Sequence, residues 1–173
     1  MKTEELSVKL IIGPLSVDLG AEVVCNIVDN LEDNDFYMEF FAELAKSPSY
    51  RVRAAVASKD SLDRDTVDRL ANDSEVEVLR NLIRSRAAHA NLGDEQLIGF
   101  LEKDAELAAW IAADIGSFEV ANTQKLAELL LNNPDPAIRY RLASNSGTPK
   151  SILRKLTKDA DPSVANAAKD SIR

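Results

Sequence analysis

The stretch DPAIRYRLASNSGTP, residues 135–149, contains the pattern that decides the fold. Asp135 and Pro136 are typical of a helix start, because the Asp side chain accepts hydrogen bonds from free amides and proline lacks an N–H that would be unpaired there. Ile138 and Leu142 follow four residues apart, so they lie on one face of a helix. The stretch therefore predicts a short, capped helix and a turn that leads to a second short helix.

Four other segments of the chain repeat this frame, with a cap or turn followed by apolar residues at helical spacing. The second, amphipathic segments of the repeats cover residues 65–71, 94–101, 123–130 and 149–156. Helices this short are not stable alone in water, so their apolar faces must be buried by stacking. This predicts a solenoid of about five repeats. The aligned anchor residues are spaced 26, 29, 31 and 26 positions apart: Val52, Val78, Leu107, Ile138 and Val164.

The first 46 residues differ from the repeats in their acidity and in their bulkier apolar side chains. The same periodicity predicts helices over residues 17–31 and 35–46. A solenoid also needs a cap that covers the apolar face of its first repeat. We therefore predict an all-α fold, in which an acidic helical cap (residues 1–46) packs on one continuous repeat domain (residues 47–173).

The fourth repeat resembles the leucine-rich repeat variant family, which is a short relative of HEAT and armadillo repeats. The resemblance covers roughly residues 41–173, closely in the fourth repeat and loosely in the others, and the second and third repeats lack the middle motif. It implies a right-handed α-α superhelix that acts as a scaffold, although a few HEAT-type relatives bind or repair DNA. Some family members hold an iron–sulfur centre on a cysteine cluster, whereas this chain has only Cys25. The matching residues are DPAIR at 135–139, LASN at 142–145, TP at 148–149, Leu153, Leu156 and Asp159.

The charge of the chain is acidic overall but unevenly distributed. The formal net charge is −8; residues 1–45 carry two lysines and ten carboxylates, whereas residues 136–173 carry eight basic and three acidic residues. The overall sign disfavours a general nucleic-acid binder, and the basic tail keeps that possibility open. The acidic N-terminus is unlike a secretory signal, and no apolar run approaches the roughly 18 residues of a membrane span. We expect a cytoplasmic protein that does not contact membranes.

The residue types in the sequence give little support for a catalytic site. There is no glycine-rich phosphate loop, and neither His89 nor Cys25 has a local partner for metal binding or nucleophilic catalysis. We therefore predict no catalytic residue, no cofactor and no metal. One enzymatic alternative remains: Asp114 follows Trp110 by four residues, and an Asp with aromatic residues on helical repeats resembles the helical-repeat DNA glycosylases.

Arginine and aromatic residues that depart from the repeat frame are the candidate binding residues, because these types are favoured as interface anchors. Arg53 and Arg139, which directly follow two anchors, allow two interpretations. Each pairs with the capping Asp of a neighbouring repeat, or each lines a groove that binds an acidic partner. The candidate set for a protein partner is Arg53, Arg80, Arg84, Trp110, Arg139, Tyr140 and Arg141.

A possible basic patch follows on one face of the second helix of the fourth repeat. It is either a solvated face or a site for an acidic protein, a nucleic acid or the acidic head of another copy, in head-to-tail association. The leading hypothesis is a non-enzymatic scaffold or adaptor that binds another protein through its concave or irregular middle surface. The alternative is a nucleic-acid-binding repeat protein that uses the repeat arginines and this patch, which consists of Lys150, Arg154, Lys155 and Lys158.

Overall fold

The structure, a computed structural model, describes residues 7–173. Within these residues it is mostly helical, with twelve α-helices and one antiparallel pair of short strands. The predicted helical class is therefore confirmed. The chain divides into two compact units, Met1–Ala87 and Ala88–Arg173. The first six residues of the predicted cap lie outside the described residues, and the predicted boundary at residue 46 stays a prediction.

The N-terminal unit begins with a β-hairpin, which corrects the prediction that the whole head is helical. Strand β1 (Val8–Ile12) pairs with strand β2 (Leu15–Leu19) in antiparallel register. Gly13 has a φ of 57°, and Pro14 holds its own φ negative. A positive φ at the first position of a two-residue turn marks the type II′ hairpin. The turn therefore favours strands on both sides, and helix formation starts only at Ala21.

The rest of the N-terminal unit is helical and follows the predicted frame. Helix α3 packs against both α1 and α5, α4 packs against α5, and α2 packs against α3. These contacts bury Val28, Phe41 and Val56 completely. A short 3-10 helix (Asp35–Tyr37) precedes α2. The α-helices are α1 (Ala21–Asn30), α2 (Met38–Leu44), α3 (Tyr50–Ala57), α4 (Arg64–Ala71) and α5 (Val76–Leu82).

The C-terminal unit has the same alternation of first and second repeat helices. Helix α10 packs against α8 and α12, while the second helices α9 and α11 pack against each other and against these first helices. Helix α6 spans the division between the units and was not predicted. The helices are α6 (Arg86–Asn91), α7 (Asp94–Lys103), α8 (Ala105–Ala113), α9 (Thr123–Leu131), α10 (Pro136–Ser144), α11 (Lys150–Leu156) and α12 (Pro162–Ile172).

The predicted repeat frame agrees with the buried core. All five anchor residues are at most 3% exposed. The caps predicted at Asp135 and Asp161 are confirmed, since each accepts a hydrogen bond from a backbone N–H in the first turn of the helix that follows, and Asp104 does the same before α8. Helices α3 and α5 begin instead after Ser49 and Glu75, neither of which makes a side-chain cap bond. Such a cap is worth about 1 kcal/mol. Among the described residues, no helix is both long and apolar enough to cross a membrane.

Candidate functional site

Arg53 is held by a set of hydrogen bonds that joins two successive repeats. Its Nε donates to Asp73 Oδ2 at 2.6 Å, and its Nη2 donates to Asp73 Oδ1 at 3.0 Å. Its Nη1 donates to the carbonyl oxygens of Ser47 and Pro48 at 2.8 and 3.2 Å. The hydrogen bond to Asp73 raises the pKa of the Arg53 guanidinium, while burial opposes this rise.

Arg139 makes the same set of bonds in the C-terminal unit. It donates to both carboxylate oxygens of Asp159, at 2.8 and 2.9 Å, and to the carbonyls of Asn133 and Pro134. The side chains of Arg53 and Arg139 are only 17% and 15% exposed. The interpretation that both arginines pair with an Asp of the next repeat is therefore confirmed. Most of their donors are occupied, so neither is well placed to bind a partner.

The middle motif of the fourth repeat also has a structural role. The Asn145 side-chain amide donates to the carbonyl of Ala113, at the end of α8, and its Oδ1 accepts from the Gly147 N–H at 2.6 Å. Thr148 Oγ1 donates to the carbonyl of Leu142 at 2.6 Å. These bonds satisfy carbonyls that a helix end leaves unpaired. The motif thus connects the ends of α8 and α10.

Tyr140 and Arg141 are presented differently, on the outer face of α10. Tyr140 is 47% exposed, and neither side chain makes a hydrogen bond or ion pair with another described residue. The two residues lie between two grooves. The groove toward α12 is about 450 Å³ and is also lined by Pro136, Ala137, Asp161 and Ser163. The groove toward α8 is about 350 Å³ and is also lined by Ala113, Ser144, Asn145 and Ser146.

The other candidate binding residues are Trp110, Arg80 and Arg84, and they lie on different helices. Trp110 is half-buried on α8, which packs against α10, and it occupies the repeat position of Arg141. Arg80 and Arg84 belong to α5 and its end, in the N-terminal unit. Trp110, Arg80 and Arg84 all take part in interactions within the chain. The surface that the C-terminal unit presents is therefore centred on Tyr140 and Arg141.

The basic patch is exposed as a group. Lys150, Arg154 and Lys155 lie on α11, and Lys158 follows its end. None of the four forms an ion pair with a described residue. A solvated face and an anion-binding face would both have this geometry, and both interpretations remain open.

Sequence reasoning missed an apolar surface on the hairpin. Leu10, Ile12, Leu15 and Val17 are between 46% and 61% exposed, although their side chains are large and apolar. The signal was available: two apolar segments are separated by the two turn residues Gly13-Pro14, which is a hairpin pattern.

Cys25, His89 and Asp114 are the residues that the sequence offers for catalysis or metal binding, and the structure shows the surroundings of each. Cys25 is half-buried in α1, and burial, together with Asp29, raises the pKa of its thiol, which disfavours the reactive thiolate. The His89 ring lies edge-on to Phe118 with centroids 5.0 Å apart, and its buried Nε2 has no hydrogen-bond partner among residues 7–173. Asp114 caps the C-terminal end of α8. The part of the chain that the structure describes has no cluster of three or more metal-binding side chains.

No protein-family model matches the sequence, and a comparison with curated proteins finds no match. The resemblance to the leucine-rich repeat variant family therefore stays a prediction.

Proposed function

We propose that this chain is a non-enzymatic helical-repeat scaffold of the solenoid type, and that it binds another protein through the outer face of α8, α10 and α12. The observation that carries this proposal is the exposure of Tyr140 and Arg141, without polar partners among the described residues, between two grooves. Tyrosine and arginine are among the residue types that contribute most to interfaces.

The repeat frame itself does not require an aromatic side chain at the position of Tyr140. The position of Tyr140 is occupied by Ala109 in the preceding repeat and by Asn166 in the following one. Stacking alone is therefore satisfied by small or polar residues. A large, exposed aromatic residue beside an unpaired arginine adds nothing to the buried core, which favours a role in recognition.

The hydrogen bonds of Arg139 explain how the surface around Tyr140 and Arg141 is held in position. Arg139 precedes Tyr140 and holds α10 to Asp159 and to the turn before α10. The backbone that carries Tyr140 and Arg141 is thereby fixed, so little conformational entropy is lost when these side chains bind. A suitable partner segment places an apolar side chain in a groove beside Tyr140 and a carboxylate against Arg141, because an arginine fork binds carboxylates with two hydrogen bonds.

The test is an affinity capture from the native host, compared between variants by quantitative mass spectrometry. The double variant Tyr140→Ala/Arg141→Ala is expected to retain at least tenfold less of the specifically captured protein than the unmodified chain. Arg64→Ala is the matched control, since it removes an exposed arginine from α4, which lines neither groove, and should retain the same proteins as the unmodified chain. Equal retention by the double variant and the control would rule out this surface.

Nucleic-acid binding is the second candidate function, and the exposed, unpaired basic patch is the observation that favours it. Arg53 and Arg139 contribute little to it, because both are engaged by carboxylates. If all four patch residues contact phosphates, the affinity for duplex DNA should fall with salt with a logarithmic slope of about −3.6. A variant with all four residues changed to glutamate should not bind. Absence of binding at low salt would exclude this function.

A further inference from the structure

The β-hairpin carries a continuous apolar face that the described residues leave uncovered. The cross-strand pairs Val8–Leu19, Leu10–Val17 and Ile12–Leu15 alternate with Lys9–Asp18 and Ile11–Ser16. Because side chains of successive pairs point to opposite faces of a sheet, the three apolar pairs share one face. The other face carries the ion pair between Lys9 and Asp18, at 3.6 Å, together with Ile11 and Ser16.

A sheet of this kind is incomplete as a folded unit. Two strands alone are marginally stable in water, and a sheet normally needs a third strand or a packed helix on its apolar face. Both outer edges also present unpaired backbone groups that template a further strand. Four residues of the apolar face are nevertheless about half exposed. An extended segment would supply both requirements, because it pairs with an edge and continues the apolar face.

The charge of the sequence that contains the hairpin favours one kind of segment. Residues 7–45 contain eight carboxylates and a single lysine, Lys9, which is paired with Asp18 within the hairpin, and the other seven carboxylates follow in residues 22–43. Lysine or arginine beside the apolar residues of a docking segment would complement this net negative charge and speed association.

A second copy of the chain is a poorer occupant. Pairing two hairpins would bring two heads of the same strongly negative charge together, which is repulsive. An anionic lipid surface is disfavoured for the same reason.

We propose that the apolar face of the hairpin docks an extended, cationic amphipathic segment of another protein, in which apolar residues alternate with lysine or arginine. Such a segment adds a strand to the sheet through backbone hydrogen bonds, while its alternate side chains extend the apolar face. The hairpin site does not include Tyr140 or Arg141, so its test is independent of the function proposed for those two residues.

The experiment measures binding of synthetic nine-residue peptides to the full-length chain by isothermal titration calorimetry. The probe alternates valine with lysine. One comparison peptide replaces every lysine by glutamate, and the other replaces every valine by threonine. The valine–lysine peptide is expected to bind at least tenfold more tightly than either comparison peptide. Its affinity should also fall at least threefold between 50 and 500 mM salt, roughly as screening of the acidic head requires.

Variants of the chain test the face itself. Leu10→Thr/Val17→Thr removes one apolar cross-strand pair and places threonine, a β-branched residue that favours strands, at both positions. It should weaken binding of the valine–lysine peptide at least tenfold. Ile11→Thr is the matched control, because Ile11 is 71% exposed but lies on the opposite face, and it should leave the affinity unchanged. The peptide comparison on the unmodified chain does not depend on whether the double variant keeps its hairpin.

Several outcomes would overturn the proposal. Equal binding of the valine–glutamate or the threonine–lysine peptide would show that charge or apolar contact is not used. An equal loss of affinity in Ile11→Thr would remove the assignment to the apolar face. Sedimentation equilibrium that finds a dimer abolished by Leu10→Thr/Val17→Thr would assign the face to a second copy. Co-sedimentation with phosphatidylcholine vesicles that is abolished by the same variant would assign it to lipid.

Discussion

Asp159 and Asp73 each accept two kinds of hydrogen bond, from an arginine of a preceding helix and from the backbone of the turn before the next helix. Asp159 accepts both hydrogen bonds from Arg139, and its Oδ1 also accepts from the backbone N–H of Asp161, just before α12 begins. Asp73 does the same with Arg53 and with the N–H of Glu75, before α5. One carboxylate therefore holds the preceding helix and shapes the turn into the next one. A substitution at this position affects two repeats together.

The substitution Asp159→Asn tests this dual role. Asparagine keeps the size of the side chain but lacks the charge that strengthens both bonds to Arg139, so we expect a loss of about 2 kcal/mol in the free energy of unfolding. Urea denaturation at pH 7 measures the loss. Asp170→Asn is the control, because Asp170 pairs with Arg173 at 3.3 Å on the exposed surface and such pairs contribute at most about 1 kcal/mol. Equal losses in the two variants would contradict the role of Asp159.

The pH dependence of stability follows from the same carboxylate. The hydrogen bond from Arg139 lowers the pKa of Asp159 in the folded state, whereas an unfolded Asp titrates near a pKa of about 3.9. Its stabilisation is therefore complete above that value and is lost as the pH falls through the folded pKa. The backbone N–H of Asn122 lowers the pKa of Asp94 likewise. We expect stability to decrease from about pH 4.5 downward, and less steeply in Asp159→Asn, in a series of urea titrations. Parallel pH profiles would contradict this.

Gly116 and Gly147 meet where the loops after α8 and α10 approach each other. A Cβ atom at Gly147 would lie 2.7 Å from the Cα of Gly116, which no flexible side chain can relieve. Gly147→Ala is expected to lower the free energy of unfolding by about 1–3 kcal/mol through overpacking. Gly99→Ala should instead add about 0.5–1 kcal/mol, because Gly99 lies within α7 with open space around it. Thermal unfolding of both variants separates the two effects, and a neutral Gly147→Ala would show that the loops can move apart.

At the scale of elements, the helices were predictable because their signals are local. A capping residue followed by apolar residues four apart requires nothing from the rest of the chain, and the anchors Val78 and Ile138 are buried as the frame predicts. The hairpin was not predicted because Leu15, Val17 and Leu19 alone form too short a run to separate strand from helix, and only the turn residues Gly13-Pro14 before them favour a strand. Helix α6, which was also missed, lies within the longer spacing between the second and third anchors.

The candidate surface was only partly predictable from the sequence. Tyr140 and Arg141 could be identified because they depart from the repeat frame, and pairing with an Asp was one of the two interpretations of Arg139. The grooves beside Tyr140 depend on how α8, α10 and α12 pack, and no local pattern records this. For the same reason the sequence could not separate Arg80 and Arg84, in the N-terminal unit, from the surface around Tyr140.

The hairpin depends on its turn, and Gly13→Ala tests that dependence. The φ of 57° at Gly13 is a conformation that alanine adopts only at a cost of about 1 kcal/mol, so the paired strands should open more often. Hydrogen exchange of the β1 and β2 amides is the measurement, since the exposed hairpin contributes little to global unfolding. Faster exchange is expected in Gly13→Ala and unchanged or slower exchange in Ser16→Thr, where a strand-favouring residue replaces serine. Unchanged exchange in Gly13→Ala would mean that the turn does not determine the pairing.

At the scale of the whole molecule, charge and exposed apolar surface are distributed unevenly along the chain. Of the ten exposed large apolar residues among residues 7–173, seven lie between Leu10 and Phe36, and Phe36 itself is 85% exposed. This same stretch belongs to the most acidic part of the chain, whereas α11, which carries most of the basic patch, has no exposed large apolar residue of its own. Head-to-tail association of copies remains a hypothesis. It would have to rest on charge alone, because the basic patch offers no apolar counterpart to the hairpin.

The proposed repeat architecture predicts how destabilisation spreads. In the C-terminal unit α8 packs against α10, and α10 packs against α12, and the stability of such arrays is approximately a sum of intrinsic and nearest-neighbour terms. Val164→Ala removes buried methyl groups from α12, at a cost of roughly 2 kcal/mol. Amide exchange should therefore accelerate most in α12, α11 and α10, less in α8 and least in α7.

Val78→Ala, the same substitution at the same frame position, should accelerate exchange in α3, α4 and α5. A uniform loss of protection from α7 to α12 would mean that the C-terminal unit unfolds as one cooperative block, and it would contradict the proposed repeat scaffold.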